Sequence, residues 1–448
     1  MNTPICDFVR SYAQKKAIRL HMPGHKGNGS LGFEELDITE INGADSLYEA
    51  SGIIKESVNN ASKLFGCDTF YSTEGSSLCI RAMLYLVSMH SISQGRKPTV
   101  LAARNVHRTF ITAAAMLDID VQWLTSSSNE SYLACRIKPA VLETAILSAS
   151  VKPCAVYITS PDYLGNISEI EAISEVCKRH GVLLVVDNAH GAYLKFLQKS
   201  AHPIDLGADM CCDSAHKTLP VLTGGAYLHI SKNAPRLFCE RALDAMGMFA
   251  STSPSYLILQ SLDMANAYLD DGYCDRLCEF SAFADIIKKE LMSHGYTFVG
   301  DEAMKLSVKA KDYGYSGSEL ADLLRGQGVE VEFCDTDYVV MMLTTEIGRE
   351  GLYMLEKAML SIPKREPITS FPPVIGLPEK AMNIRQAVFS ECEEVKVSES
   401  VGRIAADLSV SCPPAVPVIV CGEIIDERVV AAFKYYGVKT CRVVAENK

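Results

Sequence analysis

The stretch CAVYITSPDYLGNISEIEAISEVCKRHGVLLVVD, residues 154–187, contains two apolar runs separated by an amphipathic segment. The runs CAVYITSP and VLLVVD have the length and β-branched content of buried strands. Between them, IEAISEVCKRH has helical periodicity, Ser168 to Glu171 have capping-box spacing, and Gly181 is placed to end the helix. A strand, a helix and a strand in so few residues predict a βαβ unit with parallel strands. The fold class is therefore α/β, a mostly parallel sheet covered by helices on both faces.

Charged residues follow the predicted strands at their carboxyl ends. Asp187 ends VLLVVD, and Lys217 follows ADMCCDSAH, which is predicted as the next strand and its exit loop. The loops at these strand ends open into a crevice, so both residues should face one site. Upstream, TFYSTEGSSLCIRAMLYLVSMH predicts a short strand, a turn containing Gly75, Ser76 and Ser77, and a helix. Small residues at a helix start let backbone N–H groups approach a phosphate, although the same residues could be only a helix cap.

This combination suits one cofactor, pyridoxal phosphate. A lysine can form an imine with its aldehyde, and a helix start can bind its phosphate. A carboxylate can keep the pyridine nitrogen protonated, so that the ring acts as an electron sink. No Walker motif G-x-x-x-x-G-K-[ST] occurs in the sequence, which disfavours nucleotide hydrolysis.

Composition sets broad limits on the class of protein. The chain has 448 residues, 48% of them hydrophobic, and a net charge of −11, which predicts a globular protein of two or three domains. The N-terminus lacks the apolar core of a signal peptide, and no apolar run reaches the roughly 18 residues that span a membrane. We therefore expect a cytoplasmic protein with no membrane partner. The negative charge also disfavours nucleic acid as a partner.

The 16 cysteines are scattered, largely within apolar runs, and form no C-x-x-C pair. They are predicted to be mostly reduced core thiols. Cys274 and Cys278 lie one helical turn apart, but no second pair of cysteines or histidines lies nearby, so no metal site is predicted.

The sequence also resembles a known family. SAHKTLPVLTGGAYLHI, which contains Lys217, looks like the cofactor-lysine segment of the bacterial ornithine/lysine/arginine decarboxylases, pyridoxal-phosphate enzymes of the aspartate-aminotransferase fold, fold type I. Further segments agree in the same order: HMPGHKGN (21–28), ADSLYEASGII (44–54), FYSTEGSSLCIRAML (70–84), RNVHRTF (104–110), VVDNAHGAY (185–193) and STSPSYLILQSLDMA (251–265). The resemblance covers roughly residues 18 to 270 and continues more weakly into the C-terminal region.

The resemblance implies roles for individual residues. Lys217 matches the Schiff-base lysine, Asp187 the partner of the pyridine nitrogen, and His107 the histidine that stacks on the cofactor ring. The matches on the phosphate side are Gly75, Ser76, Ser77, Ser214 and His216. His216 would also assist proton transfer, and His190 would line the same strand-end loop.

The resemblance also implies an assembly and a domain order. Ser253, in STSPSY, matches a hydroxyl donor to the partner subunit's phosphate, which implies an obligate homodimer, with a tetramer as an alternative. The implied segments are an N-terminal arm (1–45), a large cofactor-binding domain (46–285), a small α/β domain (286–366) and an α+β C-terminal domain (367–448). The wing domain of the longer family members is not expected. Proline-rich residues 366–380 are predicted to be a linker.

The implied activity is decarboxylation of lysine, arginine or ornithine to its amine, through an external aldimine and a quinonoid. An aminotransferase or lyase reaction would need an arginine for the substrate carboxylate, for which Arg403 is the C-terminal candidate. A non-catalytic cofactor-binding homologue is the third possibility. Glu332 and Asp335 either bind the distal cationic end of the substrate or form a strand edge and turn.

Five positions depart from the family pattern, so the resemblance does not fix which amino acid is the substrate. They are Asp162, Asn188, Cys412, Ala415 and Cys421.

Overall fold

The computed structural model describes residues 1–126, 131–406 and 414–446. Its strands are β1 (Asp68–Ser72), β2 (Thr99–Ala103), β3 (Asp120–Leu124), β4 (Ala155–Thr159), β5 (Leu183–Asp187), β6 (Met210–Asp213), β7 (Ala226–Ile230), β8 (Phe298–Val299), β9 (Lys305–Lys309), β10 (Phe333–Cys334), β11 (Tyr338–Met342), β12 (Cys392–Lys396) and β13 (Thr440–Val444). Its α-helices are α1 (Pro4–Gln14), α2 (Ile53–Phe65), α3 (Gly75–Ser93), α4 (Arg108–Leu117), α5 (Pro139–Ser148), α6 (Ile170–His180), α7 (Ala215–Thr218), α8 (Arg236–Gly247), α9 (Tyr256–Asp270), α10 (Tyr273–Ser293), α11 (Gly317–Arg325), α12 (Gly348–Leu360), α13 (Ile384–Phe389) and α14 (Glu427–Tyr435).

The chain divides into two compact units. The first comprises Met1–His90 and Leu183–Cys278, and the second comprises Ser91–Val182 and Glu279–Lys448. In the first unit the strand order is β1-β7-β6-β5. Strands β5 and β6 are parallel, whereas β7 runs antiparallel to both β6 and β1.

In the second unit β2 pairs in parallel with both β3 and β4. A separate antiparallel sheet has the order β10-β11-β9-β8, and β12 pairs with β13 near the C-terminus. Parallel strands buried on both faces explain the continuous apolar runs in the sequence.

The elements of residues 154–187 form where the sequence predicts them. Strand β4 and strand β5 are almost wholly buried. Helix α6 buries Ile170, Ile173 and Cys177, which recur at helical spacing along one face. Gly181 ends the helix in the left-handed conformation, with φ of 58°.

The predicted capping box at the start of α6 is wrong. The residue that precedes the helix is Glu169, and no side chain caps the helix start. The backbone N–H of Ser168 instead donates to Ser160 Oγ at 3.0 Å, and its carbonyl accepts a bond from Ile170 N. Ser168 is therefore used by the loop and not by the helix.

The C-terminal part of the second unit has its own apolar core, formed by residues of α14 and β13 with neighbouring loops. Residues 363–379, within the described part of the chain, form no helix or strand. Among the described residues no disulfide joins any two cysteines, and no helix has the length and hydropathy needed to cross a lipid bilayer.

Candidate active site

Lys217 lies in the single-turn helix α7, directly after the carboxyl end of β6. Its side chain is half-buried, and Nζ lies 3.1 Å from Nε2 of the buried His190. His190 belongs to the loop that follows β5, the parallel neighbour of β6. The adjacent carboxyl ends of two parallel strands therefore bring these two side chains together, as strand-end loops do in α/β sheets.

Asp187 is the last residue of β5 and is 2% exposed. Its Oδ1 accepts a hydrogen bond from the backbone N–H of Ala189 at 3.2 Å and one from Cys212 Sγ at 3.7 Å. Burial and the nearby Asp187 carboxylate raise the pKa of the Cys212 thiol well above its usual value. Cys212 therefore stays protonated and donates to Asp187.

Ser214, three residues before Lys217, contacts the start of α3. Ser214 Oγ donates to Ser76 Oγ at 2.9 Å, although the two residues are far apart in sequence. Ser76 and Ser77 are half-buried in the first turn of α3, whose N-terminus carries the positive end of the helix dipole.

The glycine pair Gly224–Gly225, which follows Lys217, is hydrogen-bonded to the start of α3 and to α7. Gly75 begins α3 with φ of 69°, and its N–H donates to the carbonyl of Gly224 at 2.7 Å. The carbonyl of Gly225 accepts from His216 Nδ1 at 2.9 Å. In the neutral state of His216 the proton is therefore on Nδ1, and Nε2 is left as a base.

Asn188, which departs from the family pattern, has a hydrogen-bond partner that the sequence did not reveal. Asn188 Nδ2 donates to Oδ1 of Asp213 at 2.6 Å. Oδ2 of Asp213 accepts from Nε2 of His202 at 3.1 Å and from Nε2 of His229 at 3.2 Å. All of these side chains are completely buried.

Asp213 is consequently a buried carboxylate held by three donors. Burial alone would raise the pKa of Asp213, but the two histidines outweigh it and hold that pKa well below its usual value. Burial lowers the pKa of His229, which keeps its ring neutral. The one signal in the sequence was a second aspartate at the end of a buried strand, four residues before Lys217. Its histidine partners, 11 and 16 residues away, lie outside β6.

His107 belongs to the second unit, where it precedes α4 and caps it. Its Nδ1 accepts from the backbone N–H of Thr109 at 3.2 Å, and Thr109 Oγ1 lies 2.9 Å from the same nitrogen. A neutral His107 therefore carries its proton on Nε2. The backbone N–H of Arg108 donates to the carbonyl of Ala415, one of the departures, which has φ of 56°.

Ser253 is exposed on the loop before α9. Its backbone N–H donates to Ser251 Oγ at 3.1 Å, and the N–H of Ser251 donates to Oε1 of Glu74 at 2.7 Å. Because Glu74 immediately precedes Gly75, these bonds tie the Ser253 loop to the turn that begins α3.

Two other departures, Asp162 and Cys421, lie in the second unit. Asp162 is buried and caps its own loop, accepting bonds from the backbone N–H groups of Leu164 at 3.0 Å and Asn166 at 2.9 Å. Burial raises the pKa of Asp162 to about 6. Cys421 is buried, and Cys412 lies outside the described residues.

Three further charged candidates have local partners. Arg403 donates to Glu393 at 2.6 Å and lies 3.2 Å from Glu446. Glu332 is exposed and accepts from the hydroxyl of Tyr163 at 2.9 Å. Asp335 accepts from two backbone N–H groups of its own turn, and burial raises its pKa to about 6.

Comparison with solved structures shows that the fold is that of known decarboxylases. The lysine decarboxylase of Francisella novicida aligns over 99% of this chain and 81% of its own length, with a TM-score of 0.81 and 16% identity. Lysine decarboxylase A from Pseudomonas aeruginosa gives a TM-score of 0.82 and 18% identity over 99% of this chain and 80% of its own. The predicted fold type is therefore confirmed.

Sequence comparisons agree. Proteins called arginine decarboxylase are 27% identical to this chain. The one from Halalkalibacterium halodurans matches over 95% of this chain and 91% of its own length, and the one from Bacillus subtilis matches over the same shares. Family models for the Orn/Lys/Arg decarboxylase major domain and C-terminal domain match residues 3–298 and 365–441. The chain thus belongs to the Orn/Lys/Arg decarboxylase family of amino-acid carboxy-lyases.

Proposed function

We propose that this protein decarboxylates a basic amino acid, namely lysine, arginine or ornithine, with pyridoxal phosphate as cofactor. The observation that carries the proposal is the placement of Lys217 and Asp187 at the carboxyl ends of the parallel strands β6 and β5. The names of the arginine and lysine decarboxylases that resemble this chain support a basic substrate and an amine product, as in polyamine biosynthesis.

The donor set fits this cofactor. Lys217 would hold its aldehyde carbon, and the buried Asp187 would pair with the ring nitrogen. The phosphate would bind at the start of α3, where a Cβ built on Gly75 would meet nothing closer than 4.0 Å. The other residues proposed for the cofactor are Ser76, Ser77, Ser214, His216, His190, His107 and Ser253. When bound, the cofactor supplies an electron sink for the bond that breaks at the substrate Cα.

The side chains have distinct tasks in the proposed reaction. Lys217 Nζ can pass a proton to Nε2 of His190, 3.1 Å away, which leaves the amine as a nucleophile. In neutral His216 the Nδ1–H is bound to a carbonyl, so Nε2 is the ring nitrogen that would hold or return a proton. Asp187 keeps a fixed orientation because the Cys212 thiol and a backbone N–H both donate to it.

We further propose that the protein is a cytoplasmic homodimer, with a tetramer as a larger assembly. Apolar side chains of the N-terminal arm are exposed in the single chain: Ile18, Leu20, Met22 and Leu31. Such a group needs a covering surface, and a second copy would supply it. The exposed Ser253 hydroxyl would then serve the partner's phosphate. The proposed domain limits are 1–45, 46–285, 286–366 and 367–448.

The direct test is release of carbon dioxide from lysine, arginine and ornithine, offered separately to the cofactor-loaded protein, with the amine identified by mass spectrometry. One substrate should be converted, and Lys217→Ala should abolish both the conversion and the visible absorption band of the bound cofactor. The matched control is Lys199→Ala, because Lys199 is an exposed lysine of the same unit. Absence of carbon dioxide release from all three amino acids by cofactor-loaded protein would reject the proposed activity.

A further inference from the structure

Helix α4, whose start is capped by His107, is anchored by residues from the C-terminal part of the second unit. At the start of the helix, the backbone N–H of Arg108 donates to the carbonyl of Ala415 at 2.8 Å. At its end, Nη1 of Arg385 donates to the carbonyl of Ala115 at 2.9 Å. A cation suits this position because the last carbonyls of a helix carry the negative end of its dipole. The helix that His107 caps is therefore held at both ends by segments distant in sequence.

Arg104 lies three residues before His107 and forms a buried ion pair with the same part of the chain. Nη2 of Arg104 donates to Oε2 of Glu423 at 2.8 Å, and the two side chains are 13% and 4% exposed. The same carboxylate oxygen accepts from the backbone N–H of Val420 at 2.8 Å, which fixes its direction. Among the described residues, Glu423 is the one ion-pair partner of Arg104. The position of the guanidinium therefore depends on this carboxylate.

The segment between Arg104 and His107 leaves little room for independent movement. The backbone N–H of Arg104 donates to the carbonyl of Leu124, at the end of β3, at 3.0 Å. Asn105 is 1% exposed and Val106 is fully buried. Side chains in such close-packed surroundings cannot be displaced one at a time. A displacement of Arg104 should therefore move His107 as well.

We infer that Glu423 and Arg385 are positioning residues for His107. Glu423 acts through Arg104, since a buried guanidinium without its counter-charge is strongly unfavourable and would turn towards water. Arg385 acts through α4, because loss of its hydrogen bonds frees the far end of the helix. This role rests on the proposed function, in which His107 stacks on the ring of pyridoxal phosphate. It gives the proposed C-terminal domain a part in cofactor binding.

A double-mutant cycle with His107 tests the role of Glu423. Glu423→Gln keeps the size of the side chain and removes its charge, and it should weaken pyridoxal phosphate binding about three- to tenfold. In the His107→Ala background the same change should leave the affinity unchanged, because the side chain that Glu423 positions is absent. A merely structural glutamate would lower the affinity by the same factor in both backgrounds. The affinity is measured by titration of the cofactor-free protein, followed by the visible absorption of the bound cofactor.

Trp123 reports on the position of Arg104 without the cofactor. It is the sole tryptophan of the chain, and Cζ of Arg104 lies 5.0 Å from the centroid of its ring. Glu423→Gln should therefore shift the tryptophan emission of the cofactor-free protein. The matched control is Glu393→Gln, which removes the charge of an exposed glutamate paired with Arg403. It should change neither the emission nor the affinity.

Arg385→Met keeps the test decisive if Glu423→Gln does not fold, because Arg385 is exposed and no buried charge is lost. It should weaken cofactor binding about two- to threefold in the wild type and not at all in His107→Ala. For either variant, equal factors in the two backgrounds, or wild-type affinity, would overturn the assignment of that residue. So would an unshifted tryptophan emission in Glu423→Gln. Failure of the wild-type protein to bind pyridoxal phosphate would reject the proposed function itself, and this role with it.

Discussion

Replacement of the buried Asp213 carboxylate should strongly destabilise the first unit. In Asp213→Asn the amide can no longer accept from His202, His229 and Asn188 at once, so at least one buried donor loses its partner. Breaking a buried charged network typically costs about 3–5 kcal/mol. We expect the free energy of unfolding in urea to fall by about that amount. The control, Asp244→Asn, removes an exposed surface pair and should cost less than about 1 kcal/mol.

The raised pKa of Asp162 leads to a prediction about how stability depends on pH. Burial raises its folded pKa to about 6, above the value of about 4 in an unfolded chain. Between about pH 4 and pH 6, Asp162 therefore holds a proton in the folded state and has lost it in the unfolded state. The stability that the group contributes is therefore fully present below about pH 4 and is lost as the pH rises through 6.

The test compares wild type with Asp162→Asn, which cannot ionise. Between about pH 4 and pH 7 the unfolding free energy of the wild type should fall by roughly 2–3 kcal/mol relative to the variant. Any loss of loop hydrogen bonds in the variant adds a constant that does not change with pH. Parallel stability curves would mean that Asp162 does not titrate in this range.

At the level of elements, substitutions at the two ends of α3 can distinguish the cost of conformational strain from an effect on cofactor binding. Gly75 and Gly95 flank this helix with φ of 69° and 70°, and a Cβ at either position would meet no atom within less than 4.0 Å. Alanine at each position should therefore cost a similar 1–2 kcal/mol of stability. Only Gly75→Ala should also weaken pyridoxal phosphate binding, measured by titration of cofactor-free protein, because it distorts the N–H groups proposed to hold the phosphate. Equal cofactor affinity in the two variants would reject that role.

The same elements show how far the sequence determines the structure. Strands β4 and β5 and helix α6 were predictable because burial on both faces and helical periodicity leave local signals. The start of α6 was not, because Ser168 has a competing loop partner in Ser160. The partners of Asp213 and the pairing of Arg104 with Glu423 were also invisible. Glu423 lies 319 residues after Arg104 in the sequence, and no local pattern encodes such a contact.

At the scale of the whole molecule, the proposed dimer makes a prediction about the N-terminal arm. Leu20 is 91% exposed in the single chain, whereas the proposed partner would bury it. Leu20→Asp should therefore shift the assembly towards monomer in sedimentation experiments, since a buried unpaired carboxylate is costly. The control is Leu147→Asp, an exposed apolar position on α5 in the second unit, which should leave the mass unchanged.

Activity should follow assembly if Ser253 of one subunit serves the cofactor of the other. The specific activity of Leu20→Asp should then rise with protein concentration as dimer forms, whereas that of Leu147→Asp should be independent of concentration. A monomeric Leu20→Asp protein with full activity and full cofactor affinity would show that one chain completes its own site. In that case Ser253 would have no role across an interface.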